Sequence, residues 1–150
     1  MALVALRFIT SNSVVSRVIR VVTWSNFSHV DLVVKQDGKL ALLGAQADGV
    51  KIRPLGYCNP TRIETLTADV PEEARKKIFD FCYAQVGKPY DYTALLGNLL
   101  HRDWQEDDSW FCSELLAAAF NKAGYPLING NTDRITPGML YLSPRLLAKL

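Results

Sequence analysis

The 150-residue chain has little of what marks several large classes of protein. Cysteine occurs only three times, at Cys58, Cys82 and Cys112, an odd number with no close pairing. That excludes a disulfide framework, and the absence of any CxxC pair removes the usual zinc clip. The thiols are therefore expected to be reduced. Histidine occurs twice, at His29 and His101, a separation unsuited to a helix-borne metal pair, and no glycine-rich phosphate loop is present. Neither a metal nor a cofactor is expected. Charge of one sign is scarce as well. A formal net charge of +2, with Arg75, Lys76 and Lys77 offset by Glu72, Glu73 and Asp80, offers nucleic acid or an anionic membrane little to hold. No apolar run approaches the length of a transmembrane helix. The apolar opening segment, residues 1–10, carries Arg7 and lacks a basic leader or small-residue cleavage site. It reads as a strand rather than a signal peptide. The expected location is the cytoplasm, or outside it by a route without a recognisable signal peptide. Oligomeric state is not legible.

What is present fits one globular domain spanning residues 1–150. Its 49% apolar and 21% charged composition is ordinary, and the length suffices to bury a core unaided. Alternating apolar residues predict strands at 3–9, 28–34, 40–45, 50–54 and 62–68. Asp37-Gly38 and Asp48-Gly49 are expected hairpin turns. A helical stripe follows Ser11 to Ser13, through Val14, Val15, Val18, Ile19 and Val22. Asp69, with Glu72 three residues on, predicts a capping box for a helix that buries Ile78, Phe81, Cys82 and Val86 and ends at Gly87. A shorter helix is expected over 92–99. The last clear helix runs from near Trp110 to Gly124, with Phe111, Leu115, Ala118, Ala119 and Phe120 at helical spacing. Residues 139–142 read as a final strand. Antiparallel hairpins and helices in separate runs define an α+β class, a small antiparallel sheet packed against helices.

Cys112 is the most informative residue. With Ser109 as N-cap it takes the third helical position, close to free backbone N–H groups and the positive end of the helix dipole. Those amides favour the thiolate and suit an oxyanion. Its plain structural reading is a small core residue. Cys82, mid-helix on an apolar face, and Cys58, in an irregular stretch with no cation close in sequence, read as structural. A thiolate needs a base. His29 heads a strand that could hold its ring, whereas His101 lies in a polar, loop-like stretch. A third group commonly orients such a ring. Asp31 shares the His29 face but stands a strand repeat away, Gln46 could reach across from the adjacent strand as a neutral orienter, and Asp48 reads as a turn residue.

At these residues the chain resembles the permuted NlpC-type, papain-like cysteine hydrolases, in particular their YiiX-like branch. The resemblance rests on residues 16–23 with Phe27-Ser28-His29-Val30, on Asp48-Gly49-Val50 with Pro54-Leu55, and on Gly87-Lys88-Pro89-Tyr90-Asp91-Tyr92. Trp110-Phe111-Cys112-Ser113-Glu114-Leu115 and Thr136-Pro137 complete it. The order, histidine before cysteine, is that of a circular permutation and covers nearly the whole chain. The resemblance implies a histidine-bearing sheet packed on a helix that presents Cys112, and Tyr90 as a residue near substrate. It also shows a departure. Where related sequences commonly carry a Glu before Ala, this chain has Gly44-Ala45, and glycine cannot orient an imidazole.

The expected function is a thiol hydrolase that cleaves an amide or acyl-ester bond of a small peptide, amide or acyl substrate through an acyl-enzyme. Two alternatives stand beside it. One is a lipid-directed thiol esterase or acyltransferase on the same fold. The other is a non-catalytic binding or structural protein that has kept the scaffold.

Overall fold

The computed structural model describes residues 1–10, 27–46, 48–89, 112–129 and 135–148. The described elements follow the chain as β1 (Ala2–Thr10), β2 (His29–Gln36), β3 (Lys39–Gln46), β4 (Gly49–Pro54), β5 (Arg62–Val70), α1 (Glu72–Gln85), α2 (Cys112–Lys122), α3 (Pro137–Tyr141) and β6 (Leu147–Ala148). The strands form one antiparallel sheet in the order β4-β3-β2-β1-β5-β6. The first strand in sequence thus lies inside the sheet, between β2 and β5. α2 packs on β2 and β3 and also touches α1 and α3, and α1 rests on β1. This is the α+β architecture read from the sequence.

Period-two alternation decides which strand residues enter the core. Val4, Leu6 and Phe8 of β1 are fully buried there, together with Val30, Leu32 and Val34 of β2 and Leu43 and Ala45 of β3. The opposite set in β1 and β2 includes Arg7, His29 and Asp31, and these polar residues are buried too. The β2–β3 turn has positive φ at both Asp37 (51°) and Gly38 (77°), the geometry that matches strand twist in a two-residue hairpin.

Gly49 opens β4 at φ 99°, and a Cβ there would sit 2.6 Å from the Lys88 carbonyl oxygen. That carbonyl accepts the Val50 N–H at 2.8 Å, while Gly87 N–H donates to Val50 O at 2.8 Å, so the segment after α1 is clamped to the sheet edge. Gly49→Ala is expected to cost about 1–3 kcal/mol in urea unfolding. Gly38→Ala, whose Cβ would meet nothing within 4 Å, should cost less.

Several local expectations are corrected. Asp69 does not cap α1, because it remains in β5, paired with Leu3. Pro71 occupies the N-cap and makes no side-chain cap bond. Strand pairing outweighs the capping-box pattern here. The buried face of α1 is Ala74, Ile78, Cys82 and Gln85, whereas Val86 lies past the helix end and is 41% exposed. Residues 139–142 are not a strand. Thr136 accepts the Met139 N–H at 3.1 Å and Pro137 enters at the helix start, so a short helix forms, and the last strand is β6. The helices expected after Ser13 and over 92–99 lie outside the described residues, as do Ser109 and Trp110. No helix among the described residues is long and apolar enough to cross a membrane.

Candidate active site

Two neighbouring strands build the polar centre. Antiparallel register sets Arg7 of β1 opposite Asp31, and Ile9 opposite His29. On β3, Leu43 pairs with Leu32, and continuing that register brings Gly44 beside Asp31 and Gln46 beside His29. Residues two apart on a strand are separated by about 6.6 Å along the chain. The gap is closed because the imidazole leans along β2, and His29 Nε2 lies 2.6 Å from Asp31 Oδ1. Gly44 makes room for this contact. A Cβ built on it would overlap Asp31 Oδ1, and would lie 3.1 Å from Asp31 Cγ and 3.5 Å from His29 Nε2.

The second carboxylate oxygen is also engaged. The Tyr57 hydroxyl, from the turn after β4, donates to Asp31 Oδ2 at 2.8 Å and accepts from Gln46 Nε2 at 2.6 Å. Arg7 donates to the Leu55 carbonyl at 3.0 Å, and its guanidinium stands 5.7 Å from the Tyr57 ring centre and 3.9 Å, through Nη2, from Cys58 Sγ. Arg53 stands against the same ring, also at 5.7 Å, while it ties the β3–β4 turn together through Asp48 and the Gly44 and Gly49 carbonyls. Tyr57 is thus held over the site by two cations.

Cys112, the first described residue of α2, lies close enough to His29 for its thiol to act on the charge of the ring. Burial of that ring works against its charge, but Asp31 and Cys112 together outweigh this and raise the imidazole from its ordinary 6.5 to about 10. Burial likewise opposes ionisation of Asp31, yet His29, the Tyr57 hydroxyl and Arg7 bring its carboxyl below the ordinary carboxylate value. With Asp31 ionised, the ring nitrogen facing it is the donor. Burial, then the Asp31 charge, moves the Tyr57 hydroxyl upward, so it stays protonated and able to donate. Burial alone lifts the Cys82 thiol to about 12, as suits a core residue.

These shifts have a definite sign in stability. The share from His29 is complete below its ordinary value of 6.5 and fades as pH rises through about 10. The share from Asp31 is complete above its ordinary value of 3.8 and fades as acid reaches its lowered one. The stability gap between wild type and Asp31→Asn, measured by urea unfolding, is therefore expected to be widest between about pH 4 and 6.5. It should narrow in both directions.

Of the residues singled out in the sequence, Cys112 and His29 are brought together. Gln46 is near but does not hold the ring. Its amide goes to Tyr57, and the side chain on His29 is that of Asp31, because Gly44 leaves the carboxylate a place the amide need not fill. Asp48 is an exposed turn residue bonded to Lys51 and Arg53. Tyr90 and His101 lie outside the described residues. Tyr57 and Arg7 were not anticipated. The register of β1 against β2 would have paired Arg7 with Asp31, but nothing local in sequence points to Tyr57. Cys58 is half-buried beside Arg7, a cation distant in sequence.

A thiol at a helix start beside a strand imidazole that a carboxylate holds is the arrangement expected of a papain-like cysteine hydrolase. The chain matches the family model of permuted papain-like amidases (YaeF/YiiX, the C92 family) over residues 5–144, and it belongs to that family. Among solved structures, it is similar to the crystal structure of the metalloprotein yiiX from Escherichia coli O157:H7. The match has 19% identity and a TM-score of 0.74, and covers 97% of this chain and 94% of that one, a likeness of fold. No curated protein matches the chain. As to the metal named for that neighbour, the described residues of this chain contain no group of three or more His, Cys, Asp or Glu able to hold one.

Proposed function

We propose that the chain hydrolyses an amide bond in a small peptide or acyl substrate, with Cys112 as nucleophile and His29 as base. The observation that carries this reading is the placement of Cys112 beside a His29 ring whose Nε2 is already committed to Asp31. That commitment leaves Nδ1 for the sulfur. The thiol proton passes to His29 as Sγ attacks the carbonyl carbon, and N–H groups in the first turn of α2 face the developing oxyanion. The imidazolium returns its proton to the leaving amine when the C–N bond breaks. Water, deprotonated by the same ring, then cleaves the thioester, releasing the acid and restoring the thiol. Both groups are buried, which strengthens their pairing. It also calls for a substrate slender enough to reach a covered sulfur.

The substrate class is tested by incubating the protein separately with peptidoglycan peptides and with phospholipid vesicles, and identifying the bond broken by mass spectrometry. Amide cleavage in the peptides alone supports the reading. Release of fatty acid from the vesicles alone would replace it with a lipid-directed esterase, and no cleavage in a panel of amides and esters would leave the scaffold without the reaction.

A further inference from the structure

We infer that Asp31, locked by Tyr57 and admitted by the bare α-carbon of Gly44, is the positioning carboxylate of the Cys112–His29 pair. The inference rests on the cysteine-hydrolase reading and extends it to residues that the nucleophile and base do not identify. A carboxylate could orient His29 from β2 itself or from β3 across the sheet, and the two placements compete for one volume. A Cβ at position 44 would overlap Asp31 Oδ1 and lie 3.5 Å from His29 Nε2. The chain has resolved the competition in favour of β2, so glycine at 44 is the counterpart of aspartate at 31.

The remaining contacts define what Tyr57 does. Asp31 has two oxygens, one on His29 at 2.6 Å and the other accepting the Tyr57 hydroxyl at 2.8 Å. Gln46 donates to the oxygen of that hydroxyl at 2.6 Å, so the only proton Tyr57 has to give is directed at Asp31. The chain of donors therefore runs one way, from the Gln46 amide through Tyr57 to the carboxylate, and the imidazole donates from the other side. With both oxygens tethered the carboxylate has no freedom to swing from the ring. The charged and titratable groups facing this centre among the described residues are Arg7 from β1, Arg53 from β4 against the Tyr57 ring, Tyr57 from the turn after β4 and Cys112 from α2, with Cys58 behind Arg7. The fixed negative charge favours imidazolium over imidazole. Asp31 and Tyr57 touch no reacting atom and act through His29 as positioning residues.

The test is the rate at which iodoacetamide alkylates Cys112 in the full chain between pH 4 and 10, read by peptide mass spectrometry, with Cys82 in the same digest as the internal comparison. In Asp31→Asn, which keeps the shape and removes the charge, the acid limb of the Cys112 profile is expected to move up by at least one pH unit. The rate at pH 6 should fall tenfold or more, with recovery above pH 9. Tyr57→Phe, which keeps the charge and frees the carboxylate, should move the limb the same way by less, two- to fivefold at pH 6. A loss by one constant factor at every pH would assign Asp31 a merely structural role and overturn the inference, as would superimposable profiles of wild type and Asp31→Asn. Should Asp31→Asn fail to fold, Tyr57→Phe decides alone, and a profile identical to wild type counts against it. The underlying reading fails separately, if wild-type Cys112 alkylates no faster than Cys82.

Discussion

Cys112→Ala is expected to abolish covalent labelling by a thiol-directed acyl probe and to lower hydrolysis by about 10⁴-fold or more, the range found when a nucleophile acting as part of a unit is removed. The size of the effect follows from the site having a single sulfur within reach of an imidazole. Cys82 is fully buried in α1 with its thiol lifted to about 12 by desolvation, and Cys58 lies beside Arg7 rather than His29. Neither can substitute. His29→Ala should cost a similar factor, because the proton leaving the thiol then has no acceptor, whereas Cys82→Ala should label like wild type. Quantifying probe incorporation by intact mass in the three variants checks the set. Equal labelling of Cys112→Ala and wild type would remove the nucleophile.

Adding one methyl group at position 44 is expected to do almost as much damage. Gly44 is in ordinary strand backbone, so Gly44→Ala strains no dihedral, and its whole cost arises from the overlap with Asp31 Oδ1. That oxygen belongs to a buried carboxylate held at both ends, so it cannot step aside without breaking its bond to His29 or to Tyr57. The expected losses are about 1–3 kcal/mol of stability, typical of overpacking, and about 100-fold in hydrolysis if the ring loses its partner. A double-mutant cycle separates the two. In an Asp31→Ala background the clash is gone and the new methyl group keeps only an ordinary contact with His29 Nε2 at 3.5 Å, so the second substitution should cost little, and the strong non-additivity identifies the shared volume. Additive losses would mean that Gly44 serves the strand and not the carboxylate.

The strands, their turns and the two residues that meet in the site were legible because each depends on short-range pattern. Alternation at Val30, Leu32 and Val34 locates β2, Asp37-Gly38 locates its turn, and a histidine at the strand head and a cysteine at a helix start follow from those frames. What was not legible depends on distance. Asp31 could be named as sharing a face with His29, but whether two side chains a strand repeat apart can touch is decided by how the ring leans and by an empty position on the next strand. Tyr57 reaches Asp31 from a turn twenty-six positions on, held there by two arginines, and no local pattern encodes that. The capping box at Asp69 and Glu72 failed for a related reason, since nine-residue pairing with β1 carries the strand through the position where a local cap would have ended it.

The sheet places its first strand between its second and fifth, with the imidazole and its acid both on the second and the sulfur far along on α2. A growing polypeptide emerging from the ribosome can pair β1 with β2 early, while the nucleophile is still unmade. With Cys112 as the proposed nucleophile, hydrolytic power would therefore arise only after most of the chain has been synthesised and its distant segments have docked.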